Sequence, residues 1–416
     1  MKMSIAAKQA QGKCAKDVIF VASGLAQARA KEIGVENVIN ATIGAILDED
    51  GKLVFLKTVE ETFRNLPRTE YSAYAPIKGT PEYIACVVEQ CFGKSRPEGY
   101  IEAIATPGGT GITHHVVHNY TEPGDEVLTS DWFWGAYTAL CDDNQRKLRT
   151  YKLFTDEGTF NHESFQANVR DMALKQTNVV IIINTPAHNP TGFTVSTEDW
   201  VTILGFLKAL VAEGKNKVIL DVDVAYLDYA GPRDEVREFF KVFSNLPAEI
   251  LTIVAYSMSK GYTVYGQRMG AMIAITSDEE IAQEFVDINA YTSRATWSNT
   301  SRPTMSTMVE IAKNPAKQAA YEEERNSYYE LIKERAAIFM EEAKACGLPV
   351  LPYQAGFFIS IPSIDSAAVC DELHKVNAYL VPLKAGVRLA VCAVPKRQIK
   401  GLAQKIYDAM KAVGQI

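Results

Sequence analysis

Ala255-Tyr256-Ser257-Met258-Ser259-Lys260-Gly261-Tyr262-Thr263-Val264-Tyr265-Gly266-Gln267-Arg268-Met269-Gly270 joins two apolar runs, Ile250 to Ala255 before it and Met269 to Ile275 at its end. Each run has the length and composition of a buried strand. Lys260 therefore sits in a tight connection at a strand end, between Ser259 and Gly261, with Arg268 eight residues on. Apolar walls destabilise an ammonium, and the free amine that results can form a Schiff base with a carbonyl cofactor. Arg268 and Ser257 can grip a phosphate. Taken alone, a lysine at a strand end is more often a solvated surface residue, so the surrounding chain has to decide.

Upstream, strands and helices alternate. Ile101 to Thr106 reads as a strand, and Pro107-Gly108-Gly109-Thr110-Gly111 opens a helix to about Asn119. Glu126 to Thr129 is extended and is followed by Asp131-Trp132-Phe133-Trp134-Gly135-Ala136-Tyr137. Asn178 to Asn184 is a near-continuous apolar strand before His188-Asn189-Pro190-Thr191-Gly192; Trp200 to Ala212 is helical, and Val218 to Val224 is again a strand. Strands buried on both faces and alternating with helices imply a largely parallel sheet. In such sheets ligands lie beyond the carboxyl ends of the strands. Thr110, Trp134, Asn189, Asp223 and Lys260 all fall at those ends.

Nearer the N-terminus, Gly24 to Ile33 and Leu53 to Asn65 read as helices, with Val38 to Ala41 extended between them. Pro81 opens a helix to about Phe92. Beyond Ala295 long amphipathic helices cover Arg302 to Ile311 and Ala316 to Cys346. Short strands follow at Gly356 to Ile361, Ala378 to Pro382 and Val387 to Val391, and a last helix starts near Lys396. The fold class is α/β: a large domain over 48–305 with a mostly parallel central sheet, and a smaller α/β domain made of 1–47 and 306–416.

Gly108-Gly109-Thr110-Gly111 offers N–H groups and a hydroxyl at a helix N-terminus, a ready anion site. It lacks the third glycine of a dinucleotide fingerprint and the lysine of a P-loop, which argues against a nicotinamide oxidoreductase. Asp221 and Asp223 share one face of a buried strand, where a carboxylate is costly unless paired. They read either as an N-cap or salt bridge, or as a carboxylate that holds a protonated ring nitrogen. A Trp132 or Trp134 indole can pack in the core or stack on a planar cofactor.

Composition sets the limits. The chain has 416 residues, 47% hydrophobic and 22% charged, with a net charge of −7 and no basic block, which argues against nucleic acid as a partner. Its seven cysteines show no zinc or redox spacing. His114, His115 and His118 lie close together without a carboxylate or cysteine cluster, so no metal is expected. Met1 to Lys16 has no leader-like apolar run and no stretch of about 20 apolar residues occurs; a cytoplasmic location, with no membrane partner, follows by default.

Together these residues resemble the class I aminotransferases, pyridoxal-phosphate enzymes of the aspartate aminotransferase fold, from Ile39 to about Val391. The most specific pieces are Ser257-x-Ser259-Lys260 with Arg268, His188-Asn189-Pro190-Thr191-Gly192, and Asp223-x-Ala225-Tyr226. The resemblance implies that Lys260 carries the pyridoxal 5′-phosphate and acts as proton-transfer base. Asp223 would hold the pyridinium N–H, and Tyr226 and Asn189 the phenolic oxygen. Trp134, favoured over Trp132 by the loop register, would stack on the ring. Gly109, Thr110, Ser257 and Arg268 would bind the phosphate, with Tyr74 reaching it from a neighbouring subunit, which implies a homodimer with shared sites. Gly44 would sit in a loop closing over substrate, Arg388 would bind the substrate α-carboxylate, and Arg294 would reach the distal carboxylate from the partner subunit.

The implied reaction moves an amino group from aspartate or an aromatic amino acid to 2-oxoglutarate by a ping-pong route. A β-lyase or decarboxylase on the same fold is the alternative. A non-catalytic regulator is disfavoured by the presence of Lys260, Asp223, Arg268 and Arg388 together. Two residues depart from the aspartate branch: Tyr137 stands where a histidine is usual behind the pyridinium-binding aspartate, and Ala136 replaces an asparagine. Gly386-Val387-Arg388-Leu389-Ala390 is nearer the general class pattern.

Overall fold

A computed structural model describes residues 4–14 and 17–416. Part of the N-terminal stretch read above, Met1 to Met3 with Ala15 and Lys16, lies outside the described residues. The strands are β1 (Ile39–Asn40), β2 (Tyr100–Thr106), β3 (Glu126–Ser130), β4 (Lys147–Tyr151), β5 (Asn178–Asn184), β6 (Lys217–Asp223), β7 (Ile250–Ser257), β8 (Gly270–Thr276), β9 (Phe358–Pro362), β10 (Ala378–Tyr379), β11 (Val381–Leu383) and β12 (Gly386–Ala390). The largest sheet has the order β2-β8-β7-β6-β5-β3-β4. All its neighbours are parallel except those of β8, which runs antiparallel to β2 and β7.

Period two divides the sheet between two cores. Val179, Ile181 and Ile183 pack into one hydrophobic cluster, while Val180 and Ile182 pack into another on the opposite face with Ile112, Val116 and Phe285. Strands buried on both sides have to be apolar throughout, and β7 and β8 are fully buried along their length. Strand β4 lies at one of the two edges, with Lys147 and Thr150 exposed, so its sequence carries no continuous apolar run and sequence reading passes it over. The helices Ala136–Asp143, His162–Ala173 and Glu279–Thr296 were likewise not anticipated.

A second sheet, β11-β12-β9, is antiparallel, and β1 pairs with β10 so that the N-terminal segment joins this later part of the chain. Two helix starts differ from expectation. The first helix is Val18–Ile33, beginning at Asp17, whose carboxylate caps it by accepting from the Ile19 N–H at 2.8 Å. The next helix is Lys57–Arg64, not Leu53 to Asn65. Leu53 is bridged to Leu47, the Val54 N–H donates to Ile46 O, and the Leu56 N–H donates to Thr263 Oγ1 at 2.9 Å, which commits this backbone outside a helix.

One buried ion cluster ties the sheet to the long helix Pro315–Cys346. Asp228, just after β6, accepts from Arg237 Nη2 at 2.6 Å and from Arg325 Nη1 at 3.2 Å. Burial raises the Asp228 carboxyl, but the two guanidinium groups outweigh it and hold the pKa below the usual range. The stability it contributes is therefore complete above about pH 4 and is lost as pH falls through the depressed value. Asp228→Ala should cost about 3–5 kcal/mol, because it leaves two buried cations without their anion. The exposed Lys94–Asp234 pair, removed by Asp234→Ala, should leave the denaturant midpoint unchanged.

Candidate active site

Lys260 emerges where β7 ends. Ser257 caps a single helical turn, Met258–Gly261, by accepting from the Ser259 N–H at 3.2 Å. That turn points the lysine inward: Nζ donates to the Gly44 carbonyl at 2.6 Å and lies 4.9 Å from the Tyr265 ring centre and 5.7 Å from that of Tyr226. Burial pulls the ammonium down to about 8; the Cys392 thiol and Asp223 act in the opposite sense, and Arg388 and Arg268 add to the lowering. Two glycines make this approach possible. A Cβ on Gly261 would stand 2.2 Å from Asp228 Oδ2, and one on Gly44 would stand 2.5 Å from the Phe358 ring.

Asp223 closes β6. Tyr137 Oη donates to its Oδ2 at 2.6 Å, and the Ala225 N–H donates to its Oδ1 at 3.0 Å. Burial raises its carboxyl, while these hydrogen bonds and Lys260 oppose the rise. Asp221, two residues back, faces Thr113 Oγ1 at 3.4 Å and leaves its Oδ1 without a partner. Among the described residues neither carboxylate has the cation partner that a salt-bridge reading requires. Asn189 links three elements: its N–H donates to Asn184 Oδ1 at 2.7 Å, its Nδ2 to Tyr226 Oη at 3.4 Å, and its Oδ1 accepts from Arg388 Nη1 at 3.3 Å.

At one end of the cavity the helix Gly108–Tyr120 directs its N-terminus inward beside Arg268. Gly108 has φ +69°, and a Cβ there would stand 2.5 Å from Arg268 Nη2. Arg268 donates to Ser259 Oγ at 3.2 Å and to the carbonyls of Tyr265 and Pro107, with no carboxylate among its partners. Arg388 is in the same situation but fully enclosed. It donates to Thr42 O at 2.7 Å, lies 4.3 Å from the Phe358 ring centre, and leaves Nε unpartnered. Burial lowers its guanidinium to about 10.

Gly109, Thr110, Trp134, Asn189, Asp223, Tyr226, Ser257, Lys260 and Arg268 line one cavity of about 150 Å³. Gly44 and Arg388 join it through their bonds to Lys260 and Asn189. Trp132 is instead buried against Gly386. Tyr74 is 87% exposed, and Arg294 is exposed at the end of its helix, bonded to Ser298; neither enters this chain's cavity. Asn184, Ser259 and Tyr265 line the cavity without having been predicted as site residues. Tyr265 and Ser259 share the lysine stretch, so proximity to Lys260 was the available signal; Asn184 had only its place at a strand end. His115 packs on Trp297 and bonds Ser293 at 2.9 Å, and among the described residues no cluster of three metal-ligating side chains forms.

A family profile for aminotransferase class I and II matches residues 36–406. The chain belongs to the class I and II aminotransferases. It is a transaminase, and its cofactor is pyridoxal 5′-phosphate. The aspartate aminotransferase of Escherichia coli K12 is 27% identical over 317 residues, spanning 74% of this chain and 77% of that protein. The aromatic-amino-acid aminotransferase of the same organism is 23% identical over 394 residues, 92% of this chain and 96% of its own length. An aminotransferase from Anaerococcus prevotii superposes with a TM-score of 0.96 at 35% identity, covering 98% of this chain and 100% of that one.

The cavity fits this cofactor on its own terms. Arg268, with no carboxylate partner among the described residues, and a helix N-terminus stand at one end, the buried Asp223 carboxylate lines another part, and the Lys260 amine lies among the Tyr226, Tyr265 and Phe357 rings. In the cofactor-free aminotransferase, the rate at which Lys260 reacts with an aldehyde should rise with pH around a midpoint near 8. A midpoint near the ordinary lysine value would show that burial does not control this amine.

Proposed function

We propose that this aminotransferase moves the amino group of aspartate or an aromatic L-amino acid to 2-oxoglutarate by a ping-pong mechanism. The observation that carries the reading is Arg388, an enclosed guanidinium without a carboxylate. It suits bidentate capture of a substrate α-carboxylate. Bound in the cavity, pyridoxal phosphate supplies an aldehyde that condenses with amines and a protonated ring that draws electrons from a breaking Cα–H bond.

In this reading Arg388 and Asn189 orient the substrate, and Lys260 Nζ, its pKa lowered, takes the proton from Cα and returns it as acid. Asp223 keeps the ring nitrogen protonated, and Tyr226 with Asn189 holds the phenolic oxygen. Gly109, Thr110, Ser257 and Arg268 hold the phosphate, and Trp134 covers the ring. Gly44 carries the loop that excludes water, with 48–305 holding the cofactor and 1–47 with 306–416 closing over it. Tyr74 and Arg294 serve the partner's site in a homodimer; their surface positions outside this chain's own cavity support that assignment.

Lys260→Ala should abolish turnover and remove the visible absorbance of lysine-bound cofactor; near-normal activity would overturn the lysine's role. Half-reactions with aspartate, glutamate, tyrosine and phenylalanine, followed in a stopped-flow spectrometer, read the donor. Conversion by dicarboxylates alone indicates that Arg294 grips the side chain, whereas comparable conversion by aromatic acids indicates that it moves aside. Ammonia with pyruvate, or carbon dioxide, among the products would overturn the transfer reading in favour of a lyase or decarboxylase. Hybrids of Lys260→Ala and Arg294→Ala chains should recover dicarboxylate turnover that neither parent shows, because one of their two shared sites is intact.

A further inference from the structure

Behind Asp223 lies a polar group that the reaction outlined above does not use. Tyr137 stands on the helix Ala136–Asp143, fully buried, with its ring edge-on to Trp134 at 5.6 Å between centres. Its Oη meets Asp223 Oδ2 at 2.6 Å. A phenol at that distance from a carboxylate can only donate while the carboxylate is ionised. Directly behind, Asp221 is fully buried within the apolar cluster of Ile112, Val116 and Ile253, with Thr113 Oγ1 at 3.4 Å as its partner. Two carboxyls two residues apart on one strand face, in so dry a setting, cannot both carry charge at modest cost.

We propose that Tyr137 is a positioning residue that keeps Asp223 ionised toward the cofactor's ring nitrogen, while Asp221 stays protonated so that the pair carries a single negative charge. The proposal rests on the reading of Asp223 as the ring-nitrogen partner. The geometry divides the two acids. Asp223 receives the phenol, the Ala225 N–H and the field of Lys260, whereas Asp221 receives one long hydroxyl contact. The remaining titratable group near the phenol is Tyr226, whose Oη accepts from Asn189. The phenol keeps its proton, since burial first and then Asp223 raise its pKa. Charge on Asp221 is opposed by burial first and then by Asp223. The group behind Asp223 is thus an uncharged donor, so that the contact adds no titrating cation behind the ring.

The test is the affinity of the full-length, cofactor-stripped chain for pyridoxal phosphate relative to its 1-deaza analogue, in which a C–H replaces the ring nitrogen, read by fluorescence titration. The ratio cancels losses due to general loosening, which weaken both ligands alike. Wild type should favour pyridoxal phosphate. Tyr137→Phe should shrink that preference by about tenfold, the scale of one hydrogen bond to a charged group. Tyr137→His, a donor of another shape, should restore part of it. Asp221→Asn should leave the ratio at the wild-type value. A wild-type ratio in Tyr137→Phe, with the preference lost in Asp223→Asn, would overturn the role of Tyr137 and leave Asp223 in place. An unchanged ratio in Asp223→Asn would overturn the reading of Asp223 itself. A collapse of the ratio in Asp221→Asn would show that Asp221 carries the charge and would overturn its assignment as the neutral partner.

Discussion

Positive charge without a counter-anion is the constraint on which this structure depends. Among the described residues four arginines are nine-tenths or more buried: Arg237, Arg325, Arg335 and Arg388. Arg237 and Arg325 share Asp228, and Arg335 binds Glu49 at 2.6 Å. Among the described residues Arg388 hydrogen-bonds a carbonyl and an amide oxygen and faces a ring, while the Asp17 carboxylate acts on it without a direct contact. A buried guanidinium is stable when its charge is met, and the cost of leaving it unmet is several kcal/mol. The first three are therefore structural, while the fourth has the unmet charge on which the proposed capture of a substrate carboxylate rests. Arg268 repeats the pattern at the other end of the cavity, and both cations add to the lowering that burial imposes on the Lys260 ammonium.

The reversal of β8 places one of those cations. In a parallel sheet the residues that follow each strand gather at a single edge, which accounts for Gly109, Asn189, Asp223 and Lys260. Arg268 precedes its strand and would lie at the opposite edge if β8 were parallel. Because β8 is antiparallel to β7, its start returns to the edge where β7 ends, with Ser257 opposite Gly270. Lys260 and Arg268 thus come from one short excursion of the chain, and Gly270 is tightly enclosed there, with a would-be Cβ 2.6 Å from Tyr256 O.

This explains what was legible in the sequence. Apolar runs at β5, β6 and β7 announced themselves because both faces are buried, and the residues just beyond them could be taken as one set. Strand β4 and the helix Glu279–Thr296 were not legible because an edge strand and a half-exposed helix mix polar with apolar positions. The start of the helix Lys57–Arg64 was misread for a different reason. Leu53-Val54-Phe55-Leu56 runs into the helix without a Gly or Pro to break it, but tertiary bonds to Ile46 and Thr263 claim its backbone. The Asp223–Tyr137 bond joins residues 86 positions apart, so nothing local announces it, and only the family resemblance put Tyr137 behind Asp223.

Asn189 shows how the two sheets are made to answer to one ligand. Its backbone is fixed to Asn184 at the end of β5, its amide nitrogen to Tyr226 after β6, and its amide oxygen to Arg388 on β12. Arg388 in turn holds Thr42, two residues before Gly44, whose carbonyl takes the Lys260 proton donor. A chain of hydrogen bonds thus runs from the large sheet through Asn189 and Arg388 to the Gly44 loop and back to Lys260. An anion that takes hydrogen bonds from Arg388 competes with Asn189 Oδ1 and Thr42 O, and one that draws Lys260 away frees Gly44. Under the proposed function, substrate capture at Arg388 and release of the Lys260 amine are coupled by these same few bonds, which span two sheets.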